Sequence, residues 1–356
     1  IKDLDLDLIH FFTPGQVGMM AVYAANKHQT PLVAQHSTNI YEYVEHYPTV
    51  LHGLLILALF MPLSFRFDGK DAKQLLKLYI PRRGVNRWNK AIIEALVAMV
   101  YSRCDNVIAL SRKSLKQLSS WRQTTGYQYE LTLMPTGVDA LPSVGKKDLQ
   151  SFRKKFNIGE KDELITYVGR LGAEKNLAIL IPMIEKVIAK CPQARLLFVG
   201  DFEYRSELER AAEDSEASDR ITFTGVLPRE KLNRVYQNTS VFVFPSLTDT
   251  QGLVLHEAAH AGCPLVLIDD EVSEVVEESK NCLFAKNTPS SLALKVLDIL
   301  NSTEHQKEFS GYSKKLAEKY TEQIQVRALV KLYEASIAHR EVEPRRGWID
   351  RLFGRN

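Results

Sequence analysis

The segment VFVFPSLTDTQGLVLHEAAHAGCPLVLI (residues 241–268) decides the fold. VFVFPS is an apolar run of β-branched and aromatic residues with the length of a buried strand. LTDTQG (247–252) is polar and ends on a glycine, after which a helix begins. Gly262 and Pro264 stop that helix, and PLVLIDD reads as the next strand. Strand, loop, short helix and strand in this order make a parallel β-α-β unit.

The same rhythm extends in both directions. LDLIHFF, TPLVAQHS, NVIALS and YELTLMP read as strands in the first part of the chain, with helical stretches such as VGMMAVYAANKH between them. The pattern restarts with ELITYVGRL, ARLLFVG and RITFTG, separated by helices such as LAILIPMIEKVIAK. Two runs of alternation predict an α/β protein with two doubly wound, Rossmann-like domains. PTGVDALPSVGKKD (135–148), rich in Gly, Pro and polar residues, marks the boundary. The expected domains are 1–140 and 141–322, with 323–356 forming a helix that returns to the first domain and a basic, aromatic tail. Met19, Met20 and Cys263 are expected in the core.

Composition is that of a soluble protein, with 45% hydrophobic and 25% charged residues. A net charge of +3 gives no reason to expect nucleic acid as a partner. The four cysteines (Cys104, Cys191, Cys263, Cys282) form no C-x-x-C pair and are expected to be reduced, buried thiols. VLHGLLILALFMPLSF (50–65) is too short and too interrupted, by Pro62, to span a bilayer. Behind it, Arg66, Lys70, Lys73, Lys77, Arg82, Arg83, Arg87 and Lys90 face only Asp68 and Asp71, a local charge of +6. A short apolar helix beside a cationic surface is how a monotopic protein rests on an anionic leaflet. The segment 50–90 is therefore a candidate membrane-contact region. A buried helix with a solvated flank is the alternative.

HEAAH (256–260) fits H-E-x-x-H, the helical zinc pattern with a glutamate as general base. That supplies two ligands where catalytic zinc takes three. The positions where the longer protease pattern has Gly and His hold Cys263 and Val266. A two-turn connector between parallel strands is also a poor frame for a zinc helix. The competing reading takes LTDTQG as a loop at the carboxyl end of a strand, followed by a helix N-terminus. In open α/β sheets that is where phosphate-bearing ligands bind. Gly252 would let backbone approach an anion, Glu257 would accept bonds from a ribose, and Asp249 from a sugar hydroxyl.

Asp249 and Glu257, eight residues apart, resemble the paired acidic motif of retaining GT-B glycosyltransferases of the glycogen-synthase-like superfamily (glycosyl transferases group 1, family 4). YVGRLGAEKNL (167–177) resembles the segment whose Arg and Lys grip the donor diphosphate, here Arg170 and Lys175. FTGVLPREKL (223–232) resembles the strand and loop beside the nucleotide base, with Gly225 and Leu227. VAQHSTNIYEY (33–43) resembles the stretch whose histidine, here His36, faces the transferred sugar. VIALSRKSLKQL and MPTGVD match hinge-side elements. TDTQGLV resembles bacterial members that glycosylate diacylglycerol or related lipids. Two departures stand out: Asp249 replaces the usual Glu, and Thr136 stands where Asn is common. Members also begin with a strand and a glycine-rich loop, so the N-terminal domain is expected to be truncated here.

The resemblance implies transfer of a hexose from a nucleotide diphosphate sugar, UDP-glucose by first guess, to a hydroxyl acceptor with retention at the anomeric carbon. Arg170, Lys175 and Thr250, Gln251, Gly252 and Leu253 at the helix N-terminus would hold the diphosphate, with no cofactor and no metal. Asp249 and His36 would orient the sugar, and Glu257 the ribose. The acceptor is expected to be a membrane lipid such as diacylglycerol, which implies a cytoplasmic protein peripheral on the inner face of the membrane. A soluble or polysaccharide acceptor, a non-catalytic nucleotide-sugar binder, and a zinc hydrolase using His256, Glu257 and His260 are the alternatives.

Overall fold

The computed structural model describes residues 6–39, 61, 68–78 and 85–342. They divide into two units: one runs to Met134 and resumes at Val326, and the other is Pro135–Gln325. The first division falls six residues before the 140/141 boundary expected from the sequence, and the second three residues after 322/323.

The first unit holds a parallel sheet of β1 (Ile9–Phe12), β2 (Leu32–His36), β3 (Asn106–Ala109) and β4 (Leu131–Leu133), in that order. Its helices are α1 (Gln16–His28), α2 (Gly69–Leu78), α3 (Val85–Tyr101) and α4 (Arg112–Thr125). Helix α4 shows why the ends fall where they do. The Ser111 side chain accepts from Ser114 N, and Gly126 closes the helix at φ +71°, where a side chain would be strained. The last helix, Glu322–Val342, supplies Leu329, Leu332 and Tyr333, which pack around Val33, Ile108 and Leu110. Tyr333 Oη lies 2.6 Å from His10 Nδ1. Arg340 pairs with Asp105, whose carboxylate also accepts from Leu32 N at 2.7 Å.

The second unit follows one α-helix, α5 (Lys146–Lys155), with β5 (Glu163–Val168), α6 (Leu180–Ile188), β6 (Ala194–Val199), α7 (Arg205–Glu213) and β7 (Ile221–Phe223). Then come α8 (Arg229–Tyr236), β8 (Thr239–Phe244), α9 (Leu253–Ala261), β9 (Leu265–Leu267), β10 (Cys282–Phe284), α10 (Pro289–Leu300) and α11 (Thr303–Ala317). The six strands are parallel in the order β10-β9-β8-β5-β6-β7. Leu164, Ile165 and Tyr167 of β5 and Val241–Phe244 of β8 are buried, as strands covered on both faces must be. From β5 the chain moves outward through β6 and β7, then crosses back to β8 on the other side. The switch point, where such sheets bind ligands, thus lies between β5 and β8.

Glycines let adjacent strand ends approach there. Gly169 and Gly200 follow β5 and β6 at φ +150° and +137°, and a Cβ on Gly200 would sit 1.9 Å from the Gly169 carbonyl oxygen. Gly169 N still bonds to Val199 O (2.9 Å) and Gly200 N to Gly225 O (3.1 Å), so the strand ends stay tied.

Some expectations need correcting. Met19 is core, but Met20 is 63% exposed, because one residue along α1 turns the side chain by about 100° toward the outer face. All four cysteines are free and buried, as expected. Residues 50–65 lie outside the described residues apart from Met61, which is buried, as do the side chains of Arg66, Lys77, Arg82, Arg83 and Arg87. Asp71 does not offset surface charge: it is fully buried, 2.5 Å from Arg103 Nη2 and 2.7 Å from Tyr127 Oη. Lys70 donates to Gly126 O (2.6 Å) and lies over the Tyr127 ring, while Lys73 is exposed. Among the described residues, no helix is long and apolar enough to cross a membrane.

Two substitutions separate crowding from backbone entropy. Gly200→Ala is expected to destabilise by about 2 kcal/mol or more, since strain and overlap coincide. Gly311→Ala, on the exposed face of α11 with nothing within 4 Å of its new methyl, is expected to stabilise by roughly 0.5–1 kcal/mol. Urea denaturation of the two variants beside the parent measures both, and an unchanged midpoint for Gly200→Ala would contradict the crowding argument.

Candidate functional site

The loop after β5 carries Arg170, Glu174 and Lys175, and the loop after β8 carries Asp249, so these residues flank the switch point. Lys175 Nζ bonds Asp249 Oδ1 at 2.8 Å, and Thr248 Oγ1 donates to Glu174 O at 3.2 Å. The two loops are therefore joined. Arg170 Nη2 lies 3.3 Å from Glu174 Oε1 and its guanidinium 4.9 Å above the Phe202 ring, while nearly half of its side chain remains exposed. Asp249 Oδ2 is buried and has no hydrogen-bond partner. An acceptor left dry in this way costs free energy and marks where a ligand hydroxyl would be welcome.

Glu174 was not singled out from the sequence, yet it organises the cluster. Its side chain is fully buried, with Arg170 on one side and Lys175 Nζ at 3.9 Å on the other. A Cβ on Gly172 would fall 2.2 Å from Glu174 Oε2, so the glycine two positions earlier makes room for the carboxylate. That G-x-E spacing was the available signal. Tyr167 supports the turn by donating to Arg170 O at 3.1 Å. Burial first, with the Asp249 and Glu174 carboxylates adding to it, pushes the Tyr167 phenol well above its usual value, so the proton stays in place.

Helix α9 starts after Gly252, whose φ of −81° any residue can adopt. A Cβ there would meet Leu255 Cδ1 at 2.8 Å and Phe244 Cζ at 3.2 Å, so packing against β8 requires the glycine independently of any anion. Thr250 is partly buried, Gln251 buried, and Leu253 exposed at the helix start. Glu257 lies one turn further. Tyr236 Oη donates to its Oε2 at 2.7 Å, and Arg229 Nε is 3.6 Å from Oε1. Tyr236 is buried, and burial and then Glu257 push its phenol upward, which keeps it a donor. Arg229 opens α8 just beyond Gly225 (φ +71°) and Leu227, which packs against the core. The expected base-side loop thus sits beside Glu257. The sequence had not indicated Tyr236 or Arg229.

His256 is completely buried. Its Nε2 faces Gln251 Nε2 (3.2 Å) and Ser273 Oγ (3.1 Å), and His260 Nε2 donates to Val138 O at 2.7 Å. Both Nε2 atoms are thus engaged in hydrogen bonds, and among the described residues no group of three His, Cys, Asp or Glu side chains converges. His36, in the other unit, is also buried, with Nδ1 3.0 Å from Tyr101 Oη, Nε2 unpartnered, and the Tyr101 and Trp121 rings edge-on.

Burial lowers the pKa of both His36 and His256 from 6.5 to about 4. Each is neutral when folded but binds a proton below pH 6.5 when unfolded. Stability is therefore full above 6.5 and falls as pH drops toward 4. By pH 5 the loss should reach about 2 kcal/mol per histidine, at 1.36 kcal/mol per pKa unit. Chemical denaturation at pH 7 and pH 5 checks this: His36→Phe and His256→Leu should each flatten the dependence, and an unchanged slope in both would refute it.

Comparison with known proteins agrees with this geometry. The family described as glycosyl transferases group 1 matches residues 148–316, nearly the whole second unit. The sulfoquinovosyl transferase of Arabidopsis thaliana is 25% identical over 320 residues, 88% of this chain and 54% of that protein. Alpha-monoglucosyldiacylglycerol synthases of Streptococcus pneumoniae and Acholeplasma laidlawii are 22% and 23% identical, covering 74% and 80% of the chain. These alignments cover 52% and 64% of the two enzymes, so the chain spans little more than half the length of such relatives. Among solved structures, the sucrose-phosphate synthase of Thermosynechococcus elongatus superposes with a TM-score of 0.69 at 17% identity, over 95% of this chain and 75% of that one. Anabaena HepE in complex with UDP gives 0.66 at 14%, over 92% and 78%. These likenesses establish the GT-B fold. Through residues 148–316, the chain is thus similar to the glycosyl transferases of group 1.

Proposed function

We propose that this chain is a retaining glycosyltransferase that moves a hexose from a nucleoside diphosphate sugar, UDP-glucose in the first instance, to a hydroxyl of a membrane lipid such as diacylglycerol. One observation carries the reading: Lys175, which shares the Glu174 carboxylate with Arg170 in the β5 loop, meets Asp249 from the β8 loop at the switch point, beside the N-terminus of α9. In the transfer, the bond between the anomeric carbon and the diphosphate oxygen breaks and the diphosphate leaves with the electron pair. The acceptor oxygen forms the new bond, and its proton passes to the departing diphosphate oxygen. Arg170 and Lys175 stabilise the departing charge, and α9 adds its positive end. The unpartnered Asp249 Oδ2 accepts from a sugar hydroxyl, and Glu257 from the ribose. No metal takes part at His256 or His260. The names of the two diacylglycerol synthases and the basic stretch 66–90 support a lipid acceptor and peripheral attachment to a membrane.

Binding of UDP measured by calorimetry tests the donor half. Arg170→Ala and Lys175→Ala should each weaken it by about tenfold or more, as expected for charge-assisted hydrogen bonds of about 1.5–3 kcal/mol, with a smaller loss for Glu257→Gln. Unchanged affinity in all three would overturn the assignment. Sedimentation with vesicles tests the acceptor half. The chain should pellet with anionic and not zwitterionic vesicles and should lose this on replacing Arg82, Arg83 and Arg87 with glutamate. Equal partitioning would favour a soluble acceptor.

A further inference from the structure

We propose that His256 is a positioning residue: acting through the Gln251 carboxamide, it holds the turn Asp249–Gly252 that binds the donor diphosphate. The inference rests on the donor reading above but concerns a residue that reading leaves unused. Gln251 Oε1 accepts from Thr136 N at 2.9 Å, and Gln251 Nε2 donates to Thr136 O at 3.1 Å. The carboxamide therefore has one orientation, with its oxygen committed to a backbone N–H. The second proton of Nε2 points at His256 Nε2, 3.2 Å away. That nitrogen must accept.

Ser273 closes the arrangement from the other side. Its Oγ accepts from Val275 N at 3.4 Å, and its own proton points at the same His256 nitrogen at 3.1 Å. Two donors share one lone pair, so the ring carries its proton on Nδ1, which is buried without a partner. Burial keeps the ring neutral, which this tautomer requires. A leucine of similar volume would fill the space but leave the Gln251 amide and the Ser273 hydroxyl without their acceptor.

Gln251 stands between Asp249, bound to Lys175, and Gly252, which starts α9. Fixing its side chain on Thr136 fixes the backbone that aims the helix start. His260, one turn after His256 and so on the same face of α9, holds Val138 O, two residues beyond Thr136. The i, i+4 histidines brace α9 against residues 136–138, and this is what the H-x-x-x-H spacing serves here.

Two measurements on the full chain test the proposal: UDP affinity by calorimetry, and hydrogen exchange of the Gly252 and Leu253 amides relative to those of β5 and β6. His256→Leu and Gln251→Leu should each weaken UDP binding about tenfold, and the double variant should lose no more than either single one. His256→Gln, whose side-chain oxygen can accept in place of Nε2, should recover most of the affinity. Exchange at Gly252 and Leu253 should quicken in His256→Leu while β5 and β6 keep their protection. Additive losses, no rescue by Gln, or acceleration spread evenly over the sheet would reduce His256 to a packing residue and overturn the proposal. Failure of the parent chain to bind UDP would count against the donor reading alone. Exchange at the two amides then decides for or against the positioning role.

Discussion

A carboxylate without exposed surface must be neutralised where it lies, and Glu174 imposes that demand on the whole loop after β5. Arg170 and Lys175 converge because the buried charge between them holds them, and Gly172 has no side chain because the carboxylate occupies its space. Lys175 then reaches across the switch point to Asp249, tying β5 to β8 at their carboxyl ends. Two cations and two carboxylates balance in charge, so the site is not a basic patch. In the proposed role, selection of a phosphate-bearing ligand would rest on orientation: an exposed guanidinium, an ammonium held by Asp249 and a helix start.

Much of this arrangement was legible because buried parallel strands betray themselves as short β-branched and aromatic runs. Every strand read from the sequence exists, and Arg170, Lys175, Asp249 and Glu257 lie on the loops after β5 and β8 and on α9, while Gly225 and Leu227 follow β7. Three-residue β10 went unread, since Cys282–Phe284 is too short to show a period. The domain boundary was read too late for a physical reason. The Gly- and Pro-rich stretch looks like a free linker, but Thr136, Val138 and Asp139 are bound to Gln251, Tyr320 and Glu322, so it already belongs to the second unit. Tyr236 was invisible because its importance lies in the Glu257 carboxylate that it touches 21 residues away, whereas Glu174 was signalled only by the glycine two positions before it.

The histidines of α9 show how a motif can be formally present and chemically unrelated to its name. Helical spacing puts His256 and His260 on one face, as in a zinc helix, but that face looks onto backbone and amide groups. On each histidine Nε2 is already hydrogen-bonded, and the two rings do not converge on a common point with a third ligand among the described residues. The His256 imidazole is buried completely, with the Tyr320 ring edge-on and the Gln251 and Ser273 side chains at its Nε2. Periodicity alone could not have revealed that.

The second unit is inserted between two parts of the first, and this orders events during synthesis. Residues 135–325 contain their own sheet and core and can fold as soon as they leave the ribosome. The first unit cannot finish then, because Tyr333 and Arg340 have not yet emerged to cover Val33 and Ile108 and to meet Asp105. Asp105 must wait for a partner 235 residues later. Until that helix arrives, the earlier sheet carries an uncovered apolar face and an unneutralised acid, the stretch of its lifetime in which a chaperone has most to offer.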